Sequence, residues 1–137
     1  MNNKQINILL IEDNIGDYQM IIRTLDKSEN AHFELTHVPR LGAGLKLLEK
    51  EIYDIILLDL GLPGCEGLES FNITSKKHPT IPIIILTGLA NEKTGIKAIK
   101  YGEKDYLVKG EFNGKLLARA IQYAIEREQK IEDLAVN

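Results

Sequence analysis

Five residues of this 137-residue chain bring chemistry that a hydrophobic core does not require. Glu12 and Asp13 follow the apolar run that starts at Ile6, Asp59 follows residues 54–58, Thr87 follows 83–86, and Lys109 follows 106–108. Each has an ordinary reading alone: an Asp that starts a turn, a Thr-Gly strand exit, a solvated Lys. Together they put three carboxylates, a hydroxyl and an ammonium at the ends of four apolar runs. Carboxylates gathered in one place repel, and the arrangement is tolerable only with a cation to share or with raised pKa values. An oxygen-only set of this kind suits Mg²⁺, which takes one or two carboxylates, keeps several waters and accepts a phosphate oxygen. The ammonium and the hydroxyl could then hold the other oxygens of a phosphoryl group. A carboxylate can also be the nucleophile and form an aspartyl phosphate. Asp59 is the candidate, because the Gly61, Pro63, Gly64 and Gly67 that follow leave backbone and space beside it.

These residues converge only if the apolar runs lie side by side and parallel. Residues 6–11, 54–58, 83–86 and 106–108 are short and rich in Ile, Leu and Val. Most lack polar alternation, as expected of strands buried on both faces of a parallel sheet. Residues 34–38 alternate more and are expected at an edge. Between the runs the apolar spacing becomes helical. Asp17 is expected to cap a helix through Leu25, residues 41–48 repeat the spacing with Leu41, Leu45 and Leu48, and residues 68–77 form a further helix. Asn91 opens a helix that stops at Gly102, and residues 114–128 carry a broad stripe of Leu117, Ala120, Ile121, Ala124 and Ile125. Strand and helix thus alternate five times. The expected fold is α/β, a doubly wound (βα)5 domain with a five-stranded parallel sheet covered on both faces. Such sheets bind ligands beyond the carboxyl ends of their strands, where the five residues fall.

Composition narrows the function. Lys and Arg number 17 against 20 Asp and Glu, a net charge of −3, with 44% hydrophobic and 27% charged residues. That is ordinary for one globular domain and unlike a disordered chain. Direct nucleic-acid binding is not expected, since it calls for a clustered basic surface. No apolar run approaches the roughly 20 residues that cross a bilayer, so no membrane role is expected. The single Cys65 cannot form an internal disulfide and suits a cytoplasmic location. No glycine-rich phosphate loop of the nucleotide-binding kinds is present.

Four segments in order, Ile8 to Asn14, Asp54 to Gly64, Pro82 to Gly88 and Asp105 to Lys109, make the sequence resemble the receiver domains of two-component response regulators. The intervals are 46 residues (13 to 59), 28 (59 to 87) and 22 (87 to 109), and the resemblance runs from about Ile6 to Arg127. It implies a flavodoxin-like fold with Asp59 as phosphoacceptor. Asp13, Asp59 and the backbone carbonyl of Gly61 are implied Mg²⁺ ligands, with Glu12 acting through water. Lys109 would pair with the phosphoryl oxygens, Thr87 would be the switch hydroxyl, and Tyr106 the aromatic that moves as Thr87 does. The implied donor is a phosphohistidine on a sensor histidine kinase or a histidine phosphotransfer protein, and the implied recipient of the signal an output domain or effector protein, with a homodimer on activation as a further option. The chain would be a switch and not an enzyme on an external substrate. A docking module of the same fold that works without phosphorylation is the alternative, and a Mg²⁺-dependent phosphotransferase with an aspartyl intermediate is a third reading; the intact set of five residues speaks against the former, and the lack of a cap domain against the latter.

One departure stands out: most members of the family have proline after the lysine, and here Gly110 follows Lys109. The receiver is expected over residues 1–128. Residues 129–137 are expected to be a C-terminal helix extension or linker, with only Ile131 and Leu134 as large apolar residues. His32, His37 and His78 show no metal-ligand spacing and are expected at surface or edge positions away from the acidic motifs. Lys97, Lys100, Arg119, Glu126 and Arg127 could furnish an ionic dimer interface across the last two helices, but exposed charges of this kind are usually only solvated.

Overall fold

A computed structural model describes residues 5–26, 32–62, 64, 68–88 and 105–136. The expected helix from Asn91 to Gly102, together with Pro63, Cys65, Gly67, Lys97 and Lys100, lies outside the described residues. The elements are β1 (Gln5–Ile11), α1 (Ile15–Asp26), β2 (His32–Val38), α2 (Leu41–Lys50), β3 (Ile55–Asp59), α3 (Glu69–Lys77), β4 (Ile83–Thr87), β5 (Asp105–Val108) and α4 (Gly114–Val136).

All strand pairs are parallel, in the order β2-β1-β3-β4-β5. This is the flavodoxin-like α/β fold. The strands that lacked polar alternation are central: every residue of β3 and of β4 is buried. The alternating segment is β2, at one edge. Successive side chains point to opposite faces, and each strand therefore serves two cores. Leu9, Ile11, Ile56, Leu58, Ile83 and Ile85 pack with Leu48 of α2 and Phe71 of α3. Ile8, Leu10, Ile55, Leu57, Ile84 and Leu86 pack with Ile21 and Leu25 of α1 and with Leu117, Ile121 and Ala124 of α4.

Two caps refine the sequence reading. α1 begins at Ile15 and is capped by Asn14, not by Asp17: the Asn14 side chain accepts from the Asp17 N–H (2.9 Å) and its carbonyl from the Tyr18 N–H (3.0 Å). Both residues have suitable side chains, but Asn14 comes first and takes the free N–H groups. α4 is capped by Asn113, whose side chain accepts from the Leu116 N–H (2.9 Å). That helix runs 23 residues, past the expected end at Glu128, and leaves Ile131 and Leu134 exposed.

The first residue of α4 lies directly against the backbone of α1. A Cβ on Gly114 would collide with the backbone carbonyl oxygen of Thr24 in α1. Backbone cannot swing aside as a side-chain tip can, so the helices would have to separate. Gly114→Ala is expected to destabilise the protein by about 2 kcal/mol in denaturant unfolding, despite alanine's better helix propensity. Unchanged stability would show that α1 and α4 are not in such close contact.

Candidate functional site

The strand order places the site. From β1 the chain goes outward to β2, then back across to β3 on the other side, and this reversal opens a crevice at the carboxyl ends of β1 and β3. Ile11 is paired with Leu58, which sets Glu12 and Asp13 level with Asp59. The carboxylate oxygens of Glu12, Asp13 and Asp59 lie within 4.8 Å of one another. Glu12 is fully buried, Asp59 nearly so, and Asp13 is exposed.

Lys109 arrives from the far side of the sheet. Its backbone N–H donates to the Thr87 carbonyl (2.8 Å), extending the pairing of β4 with β5. The chain then turns sharply: the Glu111 N–H donates to the Val108 carbonyl (3.0 Å), and Gly110 between them has φ +85°. A positive φ at the third residue of a turn favours glycine, and proline, locked near −65°, could not adopt it. No cis peptide bond occurs among the described residues. Thus the departure from the family pattern at residue 110 gives a turn of its own, and the ammonium still reaches the acidic cluster.

The Lys109 ammonium lies 2.7 Å from Glu12 Oε1, 2.8 Å from Asp17 Oδ2 and 3.2 Å from Asp59 Oδ1. An ammonium has three N–H donors; the contact with Asp17 is a hydrogen bond and the other two are close ion pairs. Backbone groups hold the acids in turn. The Gly61 N–H donates to Asp59 Oδ1 (3.1 Å) and the Asn14 N–H to Glu12 Oε2 (3.1 Å). Thr87 is wholly buried at the same sheet edge, but its hydroxyl donates to the Gly88 carbonyl (3.0 Å) instead of joining the cluster. Tyr106, paired with Ile85, is half-buried against the core on the α2 and α3 face.

Two residues at the site escaped the sequence reading. Asp17 turns from the first turn of α1 onto Lys109, 92 residues away in sequence. His37, expected to lie away from the acidic motifs, does sit on the edge strand. Its Nε2 nonetheless donates to the Glu12 carbonyl (2.6 Å), and its ring stacks on Tyr18 with centroids 3.8 Å apart. A carbonyl can only accept, which puts the proton on Nε2. His32 is exposed at the start of β2, and His78 follows the last residue of α3.

These features coincide with a known family. Residues 8–122 match the family described as the response regulator receiver domain. The chain belongs to the response-regulator receiver family. The cell cycle response regulator CtrA of Brucella ovis is 35% identical over 125 residues, which are 91% of this chain and 52% of that protein. The transcriptional regulatory protein ZraR of Klebsiella oxytoca is 29% identical over 112 residues, 80% of this chain and 24% of that protein. The receiver therefore spans about half, or less, of these curated relatives. Among solved structures, a receiver domain protein of Methanospirillum hungatei aligns with TM-score 0.73 and 24% identity over 93% of this chain and 98% of the other. NtrX of Brucella abortus, solved with ADP, aligns with TM-score 0.82 and 20% identity over 96% of this chain and 30% of the other. At these identities the structural likeness shows the fold alone. Receivers of this family are the signalling switches of two-component systems. No helix among the described residues is long and apolar enough to cross a membrane.

Electrostatic tension is built into the receiver's site. Burial pushes the Glu12 carboxyl up from its ordinary 4.5 to about 7; Lys109 opposes the shift and the Asp59 charge adds to it. For Lys109, burial works against the ammonium, but its close contacts with Asp17 and Glu12 and the charge of Asp59 outweigh it and hold the group above the ordinary lysine range. The folded receiver thus keeps the Glu12 proton up to about pH 7, whereas the unfolded chain releases it near 4.5. The stability contributed by protonated Glu12 is complete below 4.5 and is lost as the pH rises through about 7. In metal-free protein, Glu12→Gln is expected to gain about 2 kcal/mol on the wild type between pH 5 and pH 8 in denaturant unfolding. An equal difference at both pH values would contradict the shift.

Proposed function

We propose that this receiver accepts a phosphoryl group on Asp59 from the phosphohistidine of a sensor histidine kinase or histidine phosphotransfer protein, and passes the signal to an output domain or effector protein. The reading rests above all on one observation: a lysine ammonium 3.2 Å from the Asp59 carboxylate, inside a cluster of acidic oxygens at the switch point of the sheet. In the transfer, an Asp59 oxygen attacks phosphorus. The new P–O bond forms as the donor's P–N bond breaks, and the bonding pair leaves with the imidazole nitrogen. With a small acyl phosphate the bond that breaks is P–O, and a carboxylate leaves.

The donor set fits Mg²⁺, which takes oxygen ligands and needs few from the protein. Asp13, Asp59 and the Gly61 carbonyl would hold it, with Glu12 acting through water. When bound, Mg²⁺ offsets the charge on the phosphoryl oxygens. Lys109 supplies the second positive partner, and it is already delivered by the β5 turn. Phosphorylation replaces one carboxylate with a group bearing nearly two negative charges. That charge would draw the Thr87 hydroxyl from the Gly88 carbonyl toward the phosphoryl group, and Tyr106 would move into the vacated space. The output is then a shift between two arrangements of the surface around β4 and β5. Residues 129–136, where α4 continues beyond the core, would connect this surface to further chain or to a partner.

Wild type incubated with Mg²⁺ and a small acyl phosphate is expected to gain the mass of one phosphoryl group, with no gain after chelation or in Asp59→Asn. A gain in Asp59→Asn would assign the acceptor elsewhere, and no gain in wild type with acyl phosphate or with kinases would favour the phosphorylation-independent docking module. Thr87→Val is expected to keep the mass gain but to lose the phosphorylation-dependent change in the Tyr106 ring signals in NMR spectra. Persistence of that change would remove Thr87 from the switch.

A further inference from the structure

We propose that Asp17 is a positioning residue that restrains Lys109 in the resting receiver and so sets how readily the site accepts a phosphoryl group. The inference rests on the phosphoryl-accepting reading of Asp59. Lys109 has three donors and three carboxylate partners, and its contact with Asp59 is the longest, at 3.2 Å against 2.7 Å to Glu12 and 2.8 Å to Asp17. A phosphoryl group on Asp59 would set its oxygens beyond the carboxylate oxygen that the ammonium now faces, so the ammonium must shift to reach them and loosen one of the two shorter contacts. Glu12 is fully buried and its Oε1, which has no hydrogen-bond partner among the described residues, faces the ammonium at 2.7 Å, so moving that charge away would be costly.

Asp17 is the partner that can be released. Its side chain is 34% exposed, so water can replace the ammonium at little cost. It stands outside the group of carboxylates whose oxygens gather within 4.8 Å, and it is not needed to cap α1, since Asn14 does that. Among the described residues its side chain pairs with Lys109, across 92 residues. A carboxylate at this place therefore competes with the incoming phosphoryl group for a single cation, and removing it leaves that cation to Asp59.

The test uses beryllium trifluoride, a tetrahedral mimic of a phosphoryl group on a carboxylate, with Mg²⁺ present, read by fluorine NMR, alongside the rate of mass gain from a small acyl phosphate. Asp17→Ala is expected to bind the mimic about fivefold more tightly and to accept the phosphoryl group faster, and Asp17→Glu, which keeps a carboxylate within reach, to return toward wild type. Magnesium affinity and melting temperature are expected to stay close to wild type, which a merely structural role for Asp17 would not allow. In a Lys109→Gln background Asp17→Ala is expected to change nothing, because the effect passes through the lysine. Equal or weaker affinity in Asp17→Ala, or the same gain without Lys109, would overturn the proposal. Failure of wild type to bind the mimic or gain the phosphoryl mass would instead reject the reading of Asp59 on which it rests.

Discussion

Repulsion among carboxylates at one edge of the sheet is the constraint on which the rest of the receiver depends. Glu12, Asp17 and Asp59 contact a single ammonium, that of Lys109, and the Asp13 carboxylate lies close to those of Glu12 and Asp59. One cation does not offset four acids in a partly buried site; burial raises the pKa of Glu12, and the Asp59 charge adds to it. A site in this condition favours added positive charge and responds strongly to added negative charge. Metal binding and phosphorylation are these two perturbations.

Holding like charges together takes a rigid support, and the fold provides it from both sides. β3 and β4 are buried along their whole length, and each presents alternate residues to a separate core. Displacing Asp59 or Thr87 would disturb both. The register aligns the strand ends, so that Lys109, anchored to the Thr87 carbonyl, shares its backbone with the residue proposed to report the charge change. Chemistry at Asp59 and the surface near β5 are in this way joined by one stretch of hydrogen-bonded strand.

Much of this was legible in the sequence because it depends on local patterns. Runs such as Ile-Ile-Leu-Leu at 55–58, without polar alternation, mark central parallel strands, and a charged or hydroxyl residue at the end of each run marks the carboxyl edge. What local pattern could not carry was pairing over distance. Asp17 near a helix start looks like a cap, and only the folded chain shows that Asn14 takes that role and frees Asp17 for Lys109. His37 on an edge strand looks like a surface residue until β2 lies beside β1 and its ring reaches the Glu12 carbonyl. The available signal for Asp17 was an acid in the first turn of the helix that directly follows the Glu12-Asp13 pair.

Thermal unfolding of the wild type, with and without millimolar Mg²⁺ at constant ionic strength, tests most directly whether the acidic cluster is a cation site under strain. Magnesium that binds only the folded state at ten times its dissociation constant adds about 1.4 kcal/mol, a rise of several degrees for a domain of this size. The expected result is such a rise in wild type, lost in Asp13→Asn. No rise, or a rise of equal size in Asp13→Asn, would contradict a site built around these carboxylates.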